Sequence, residues 1–253
     1  MSALFSCVVP VKGARPFLEE ALSSLSGQGL GDDLEIIIQD GDVEPDAGQS
    51  DALNRGGAKA HGEWLFWLNA DDLLLPGALA AVRSQIRKAE SQGISLEWIT
   101  GNQLLIDDAG RVLKCSVGHK WHDWLYRHAV PHVYGPSAFF RRELFSRVGG
   151  LDTSLSVCMD WDLWIRFMKS GARFVRINDY LWAQRQWQGS KTQRRISGAE
   201  RIAHRSEINS MFSKNAFQVT ASGLFLNRIW RMMNGNYARE CLDTFRMRGK
   251  CAV

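Results

Sequence analysis

Two adjacent carboxylates, Asp71 and Asp72, follow the apolar run Trp64-Leu65-Phe66-Trp67-Leu68 and precede Pro76. Paired carboxylate oxygens at one turn suit a hard divalent cation, Mg²⁺ or Mn²⁺. A third acid, Asp160, lies far along the chain at the start of a helical pattern. Set apart from the pair, it suits removal of a proton from an attacking hydroxyl. A fourth, Asp40, ends the run Glu35-Ile36-Ile37-Ile38-Gln39 just before Gly41. The chemistry this implies is departure of a diphosphate whose charge a metal offsets, with a separate carboxylate as base. Each acid also has an ordinary structural reading. Asp40-Gly41 is a common turn pair. Asp72 and Asp160 are both placed to cap helices, with Asp162 complementing a helix dipole. What favours the chemical reading is convergence, because ligands of open α/β sheets bind beyond the carboxyl ends of the strands.

The elements needed to bring these acids together are legible. Leu4–Val11, Leu34–Gln39 and the Trp64 run read as buried strands. Helical patterns follow each: Pro16 to Ser26, Ala47–His61 closed by Gly62, and Pro76–Gln92. Strand and helix alternating three times predicts an α/β fold with a doubly wound, mostly parallel sheet. Beyond it, Leu96–Ile106 and Val112–Cys115 flank the turn Asp107-Asp108-Ala109-Gly110. A short aromatic helix is expected over His119–His128, a strand at Ser137–Phe140 and a helix at Arg141–Val148. A helix is expected at Asp160–Ser170, then separate strands at Phe174–Ile177 and Tyr180–Gln186. Residues past Thr192 read as helical. The tail Phe217–Met247 mixes Leu224, Phe225, Ile229, Trp230 and Met233 with basic residues. It reads either as a helix packed on the core or as a membrane-surface helix.

The bulk numbers narrow the class. The 253 residues suffice for one sizeable domain with an appendage. The net charge of +4 is mild, and the cationic excess gathers from Arg185 onward in Lys191, Arg194, Arg195, Arg201 and Arg205. That suits a phosphate-bearing ligand or an anionic membrane rather than nucleic acid. Cys7, Cys115, Cys158, Cys241 and Cys251 are odd in number and contain no CxxC pair. They point to a reducing cytoplasm, with neither a disulfide framework nor a zinc site. No leader-like segment and no apolar run of roughly eighteen residues is present. The ten tryptophans read first as core, with a sugar-binding wall as the alternative.

Several segments, in order, resemble the family 2 glycosyltransferases, which use the GT-A fold and transfer sugars from nucleotide-sugar donors with inversion. They are Cys7-Val8-Val9-Pro10, Ile36-Ile37-Ile38-Gln39-Asp40-Gly41, and Asp46 through Gly56. Next come Gly62-Glu63-Trp64 through Asn69-Ala70-Asp71-Asp72, then Pro136-Ser137-Ala138-Phe139-Phe140-Arg141-Arg142. Val148-Gly149-Gly150-Leu151-Asp152 and Met159-Asp160-Trp161-Asp162-Leu163-Trp164-Ile165-Arg166 complete the series. The resemblance implies a GT-A-like domain over residues 1–192, with a Rossmann-like nucleotide half, an acceptor half and a helical extension at 193–253.

It also implies roles. Asp40 would recognise the nucleotide base. Asn69-Ala70-Asp71 occupies the D-x-D place, with Asp71 and Asp72 at the metal and the ribose-diphosphate. Asp160 would be the catalytic base. Pro10, Gln49, Asp51, Asn54 and Arg55 would line the donor pocket, with Arg55 meeting a phosphate. Arg185, Ser190 and Lys191 would serve the diphosphate. Trp121, Trp124, Trp161 and Asp162 are the acceptor-side expectations. A uridine-diphosphate sugar, Mg²⁺ or Mn²⁺, and a glycan or lipid-linked acceptor in bacterial polysaccharide or glycolipid assembly complete the picture. The site would lie in the cytoplasm or at the inner face of the membrane, which the tail would touch.

Three departures stand out. Only Asp42-Val43-Glu44 separate the Asp-Gly turn from the next segment, where the family has a helix and a strand. Asn69 is neutral. Trp187 stands where a histidine ligand is expected. Two other readings are carried forward. A sugar nucleotidyltransferase needs a glycine-rich phosphate loop, and Val11-Lys12-Gly13-Ala14-Arg15-Pro16 has one glycine. A non-catalytic nucleotide-sugar or glycan-binding homologue would lack turnover.

Overall fold

The computed structural model describes residues 3–13, 15–118, 123–129, 133–190 and 198–253. Strands β1 (Phe5–Val11), β2 (Leu34–Asp40) and β3 (Trp64–Trp67) pair in parallel in the order β2-β1-β3. They alternate with helices α1 (Leu18–Ser26), α2 (Gln49–Lys59) and α3 (Ala78–Ser91). Side chains alternate across a strand, and both faces of this sheet are covered. Phe5, Cys7, Val9, Trp64 and Phe66 pack with Leu25 of α1 and Leu79 of α3. Val8, Leu65 and Trp67 pack with Leu53 of α2 on the other face. Helix α2 lies close on β1 because Gly56 has no side chain; a Cβ there would collide with Val8.

The second half is β4 (Leu73–Leu74), β5 (Trp98–Ile106), β6 (Val112–Ser116), β7 (Ala138–Arg141) and β8 (Phe174–Arg185). The sheet order is β2-β1-β3-β7-β5-β8-β4, with β6 on β5. Strand β7 runs antiparallel to β3 and β5, β4 to β8, and β6 to β5, while β5 and β8 are parallel. The parallel order expected from the three strand–helix repeats is that of β2-β1-β3, and the antiparallel pairs lie in the second half. Strand β4 is too short to register in a periodicity. The two strands expected at 174–186 are one strand, β8, that bulges where its register with β5 shifts between Thr100 and Gln103. Gly101 sits at that shift, and Leu181 occupies the space a Cβ would need. Among the described residues the sheet ends at β2, where Ile36 and Ile38 are exposed. That agrees with the short Asp42–Glu44 connection having removed a neighbouring strand.

Helices α4 (Asp123–His128), α5 (Arg142–Arg147) and α6 (Met159–Lys169) belong to this second half. The extension forms α7 (Gly198–Lys214), α8 (Ala221–Met233) and α9 (Asn236–Met247). Met211, Phe212 and Phe217 enter the same core as Leu163 and Trp164 of α6. The tail is thus two helices broken at Gly235 (φ 69°), both packed on the domain. No described helix is long and apolar enough to cross a membrane.

Candidate active site

A cleft of about 620 Å³ opens beyond the carboxyl ends of β1 and β3, and its walls include Pro10, Gln49, Asp71 and Asp160. Two elements fix its opposite sides. The chain leaves β3 through Leu68 and reaches Asn69–Asp72, while α6 begins at Met159 and carries Asp160 in its first turn. Trp67, near that strand end, stacks on Trp164 of α6 with ring centroids 5.6 Å apart and planes 4° apart. Trp164 stacks in turn on Trp98 of β5 at 5.6 Å. The indole column ties the helix bearing Asp160 to the sheet bearing Asp71. It also makes Trp67, Trp98 and Trp164 core residues, as expected for most tryptophans.

The Asp71–Asp72 turn is tightly wired. Gln49 Nε2 donates to Asn69 Oδ1 at 2.8 Å, and Asn69 Nδ2 donates to Asp72 Oδ2 at 2.8 Å. The Arg185 backbone N–H donates to Asp72 Oδ1 at 2.9 Å. Asp72 is only 2% exposed. Burial, reinforced by the neighbouring Asp71 charge, pushes its carboxyl up to about 8. Asp71 differs: its Oδ2 accepts from Trp187 Nε1 at 2.8 Å, and it is partly exposed on the cleft wall.

Several expected site residues turn out to be structural. Arg185, expected at the diphosphate, is 2% exposed. Its Nε donates to the Asp71 carbonyl, Nη1 to the Asp108 carbonyl and Nη2 to Glu20 at 2.6 Å. Its guanidinium lies over the Phe17 ring at 4.2 Å. A buried cation must be paired, and Arg185, which is among the cleft-lining residues, spends its donors stapling β8 to the Asp71–Asp72 turn. Asn54 exchanges two hydrogen bonds with the Leu151 backbone, each 2.8 Å. Arg55 pairs with Asp51 at 3.0 Å and with the Pro45 carbonyl. None of Asp51, Asn54 and Arg55 lines the cleft. Asp162 is buried, accepting from Arg166 Nε at 2.7 Å and Asn215 Nδ2 at 2.9 Å, which removes it from the acceptor side. Trp161 leans on Phe212 at 6.3 Å, within the helix packing.

Asp40, expected to read the base, is already engaged. Arg15 Nη1 and Nη2 donate to its two oxygens at 2.7 and 3.0 Å, and Nη2 also reaches Asp42 at 2.8 Å. Arg15 and Asp42 form the cleft wall there, and Asp40 lies behind them. Ser190 is buried on the wall, with its N–H on the Trp187 carbonyl at 3.0 Å. This 187–190 turn requires Gly189, because a Cβ would run into the Trp187 ring. Trp124 is exposed and packs on His128 at 4.6 Å, away from the cleft. Trp121 and Lys191 lie outside the described residues.

At the opposite wall, Asp160 accepts from the Trp161 N–H at 2.9 Å. Its Oδ2 packs over Gly135, where a Cβ would stand 3.3 Å away. The segment leading into α6 is held by Glu207 of α7, which the sequence did not single out. Glu207 Oε1 accepts from the N–H groups of Ser156, Val157 and Cys158 at 3.0, 2.6 and 3.1 Å. Burial alone would raise this carboxyl, but the Val157 and Cys158 N–H groups hold it below the usual range. Arg15 was missed as well; the weak signal for it was a lone cation beside the Asp40-Gly41-Asp42 turn.

For a divalent cation the turn offers one usable carboxylate. Asp72 is committed to Asn69 and Arg185, whereas Asp71 has one oxygen without a protein partner among the described residues. No cluster of three or more His, Cys, Asp or Glu ligands occurs among the described residues. The donor set fits an ion held by one carboxylate together with phosphate oxygens and water, as Mg²⁺ commonly is.

A family model described as "Glycosyltransferase like family 2" matches residues 33–201. The PGL/p-HBAD biosynthesis glycosyltransferase of Mycobacterium bovis (strain BCG / Pasteur 1173P2) is 27% identical over an alignment of 203 positions that covers 68% of this chain and 73% of the relative. S. aureus TarS in complex with UDP-GlcNAc superposes with a TM-score of 0.60 at 15% identity, over 75% of this chain and 60% of that one. The mannosyltransferase PcManGT from Pyrobaculum calidifontis, in complex with GDP-Man and Mn²⁺, gives 0.58 at 20% identity, over 85% and 64%. At these identities the likeness to solved structures is one of fold, and the chain spans less than two thirds of either.

Proposed function

Since the chain belongs to the glycosyltransferase like family 2, we propose that it transfers a sugar with inversion from a nucleoside-diphosphate sugar to a hydroxyl acceptor. The observation that carries this reading is one cleft with Asp71 on one wall and Asp160 on the other. Asp160 takes the proton from the acceptor hydroxyl, which attacks the anomeric carbon from the side opposite the diphosphate. The diphosphate lies toward Asp71. Mg²⁺ or Mn²⁺, bound there with the donor, would supply the positive charge that offsets the leaving group. Asp72, Asn69 and Gln49 keep the Asp71 turn in place, and Trp187 holds one oxygen of the Asp71 carboxylate. The base pocket lies by Arg15, Asp40 and Asp42, with a uridine diphosphate the first expectation. The relative named for PGL/p-HBAD biosynthesis supports an acceptor of the glycolipid or polysaccharide kind.

The test is Asp160→Asn in a transfer assay, paired with thermal shifts by uridine, guanosine and thymidine diphosphates with and without Mn²⁺. Transfer should fall by about 10³-fold, while the Mn²⁺-dependent shift stays at its wild-type size, since that shift reports donor-site binding alone. Turnover near the wild-type rate would remove Asp160 from the role. A Mn²⁺-dependent shift that survives Asp71→Asn would remove Asp71 from the metal.

A further inference from the structure

Helices α8 and α9 are packed inside out. Most of the residues they turn to the domain are polar, with Met247 the apolar residue that joins the core. Asn227 and Arg231 of α8 and Asn236 of α9 are buried. Asn236 Nδ2 donates to the Gly118 carbonyl at 2.7 Å, and Glu240 accepts from the Val117 N–H at 2.8 Å and from Arg231 at 2.6 Å. Thr244 Oγ1 accepts from the Cys115 N–H at 3.0 Å, and Asp243 accepts from Tyr180 at 2.7 Å. Their large apolar residues are left outside. Leu224, Phe225, Met232 and Met233 are exposed on α8, and Leu242 and Phe245 on α9, with Phe245 86% exposed. A surface helix normally shows the reverse arrangement, with its apolar stripe on the core. Arg228 of α8, Arg246 of α9, and Arg248 and Lys250 just after α9 are exposed as well. The acids of these helices are used internally: Glu240 pairs with Arg231, and Asp243 with Arg239.

We propose that the outer face of α8 and α9 seats on an anionic lipid surface, with Phe225, Met232, Met233 and Phe245 entering the headgroup boundary and Arg228, Arg246, Arg248 and Lys250 meeting lipid phosphates. Apolar residues flanked by cations are the signature of an interfacial helix. The same charges disfavour a second copy of the chain as occupant, because a symmetric contact would bring a basic rim against a basic rim. Helix α8 packs on α4 through Gly223, which lies against the His128 carbonyl, and α4 carries the exposed Trp124. Tryptophan is at home at a membrane interface.

Co-sedimentation of the full chain tests this, using vesicles of phosphatidylcholine alone and of phosphatidylcholine mixed with phosphatidylglycerol. Binding should favour the anionic vesicles by about tenfold or more and weaken with added salt. The double variant Phe225→Ser/Phe245→Ser should lose binding, as should Arg246→Glu/Arg248→Glu. Both leave the cleft untouched, and the melting temperature of each, compared with wild type, verifies folding. Equal binding to both vesicle types, binding undiminished in a folded Phe225→Ser/Phe245→Ser variant, or no binding at all would overturn the proposal. Sedimentation of a wild-type dimer that the phenylalanine variant disperses would assign the face to a second copy instead.

Discussion

At the Asp71 wall, the supports come from the first-half helices, the sheet and its turns: Gln49 of α2 and Asn69 in series, the Arg185 backbone, and the Arg185 side chain reaching Glu20 of α1 and Asp108. At the Asp160 wall, the segment entering the helix is gripped by Glu207, from a helix of the extension. The first wall buries its ionisable groups, with Asp72 and Arg185 both 2% exposed; the second uses backbone N–H groups and a carboxylate. Buried ionic parts are costly to break, because each lost partner strands a desolvated group. A helix start held by one carboxylate yields more gently. The Asp71 wall is therefore built for rigidity, and the Asp160 wall depends on a segment outside the parallel core.

The largest expected effect tests the first wall. Arg185→Met removes three side-chain hydrogen bonds and should destabilise the fold by about 3–5 kcal/mol. That lowers the melting temperature by roughly 2–4 °C per kcal/mol for a chain of this size. A diphosphate-binding arginine would behave differently, weakening donor binding with little change in melting. Melting and nucleotide titration of one variant separate the roles.

Next comes the second wall. Glu207→Ala leaves three N–H groups without their acceptor and should cost about 2 kcal/mol. The functional signature is a lower kcat with an unchanged donor KM, because only the Asp160 wall moves. Glu207→Gln keeps an acceptor oxygen and should recover most of the loss. A donor KM that rises in step with the loss of kcat would show that the two walls are not independent.

A pH titration sharpens the same contrast. Asp72 holds its proton in the folded state up to about 8, against an ordinary value of 3.8. Across that interval the native state binds more protons than the unfolded chain. Stability must therefore fall as pH rises, by at most about 1.4 kcal/mol per pH unit. Asp152 acts in the opposite sense: Lys214 and Ser154 hold its carboxyl down to about 2. Its stabilisation is present above the ordinary value and lost as pH falls toward 2, and it is small because Lys214 is largely solvated. Thermal melts in chelator should decline from about pH 5 to about pH 8 in wild type, and the decline should flatten in Asp72→Asn. An unchanged slope in the variant would assign the decline to other groups.

Much of this contrast was legible in the sequence, though unevenly. The three strand–helix repeats, and the acids at their ends, follow from periodicity and turn chemistry, which are local. Arg185, expected at the diphosphate from its motif position, lines the cleft but spends its guanidinium on protein partners; a cation after Leu181-Trp182-Ala183 signals such a buried, paired group. Asn54 and Asp162 sit in motif-like segments but serve the backbone and an internal ion pair. Glu207 and Arg15 act on partners 49 and 25 residues away. No spacing rule marks such contacts, because folding alone brings these side chains together. The inverted packing of α8 and α9 was ambiguous for a related reason: the mixture of apolar and basic residues was visible, but not which face met the domain.

The smallest effect bears on the one partly exposed acid of the first wall. Trp187 donates to Asp71 Oδ2 at 2.8 Å and packs edge-on against Phe17 at 5.4 Å. Trp187→Phe keeps an aromatic ring against Phe17 but drops the N–H. Asp71 faces a cleft that water enters, so solvent replaces most of that bond, and the cost should be about 1 kcal/mol. The change also releases an oxygen that the indole holds. If Asp71 is a metal ligand, Mn²⁺-dependent stabilisation by a nucleoside diphosphate should grow in Trp187→Phe, because the ion no longer shares the carboxylate with the indole. If that stabilisation shrinks while melting of the free protein changes little, the indole serves to aim Asp71 at the ion. Trp187 would then belong with Arg185 and Asn69 among the groups that keep this wall rigid.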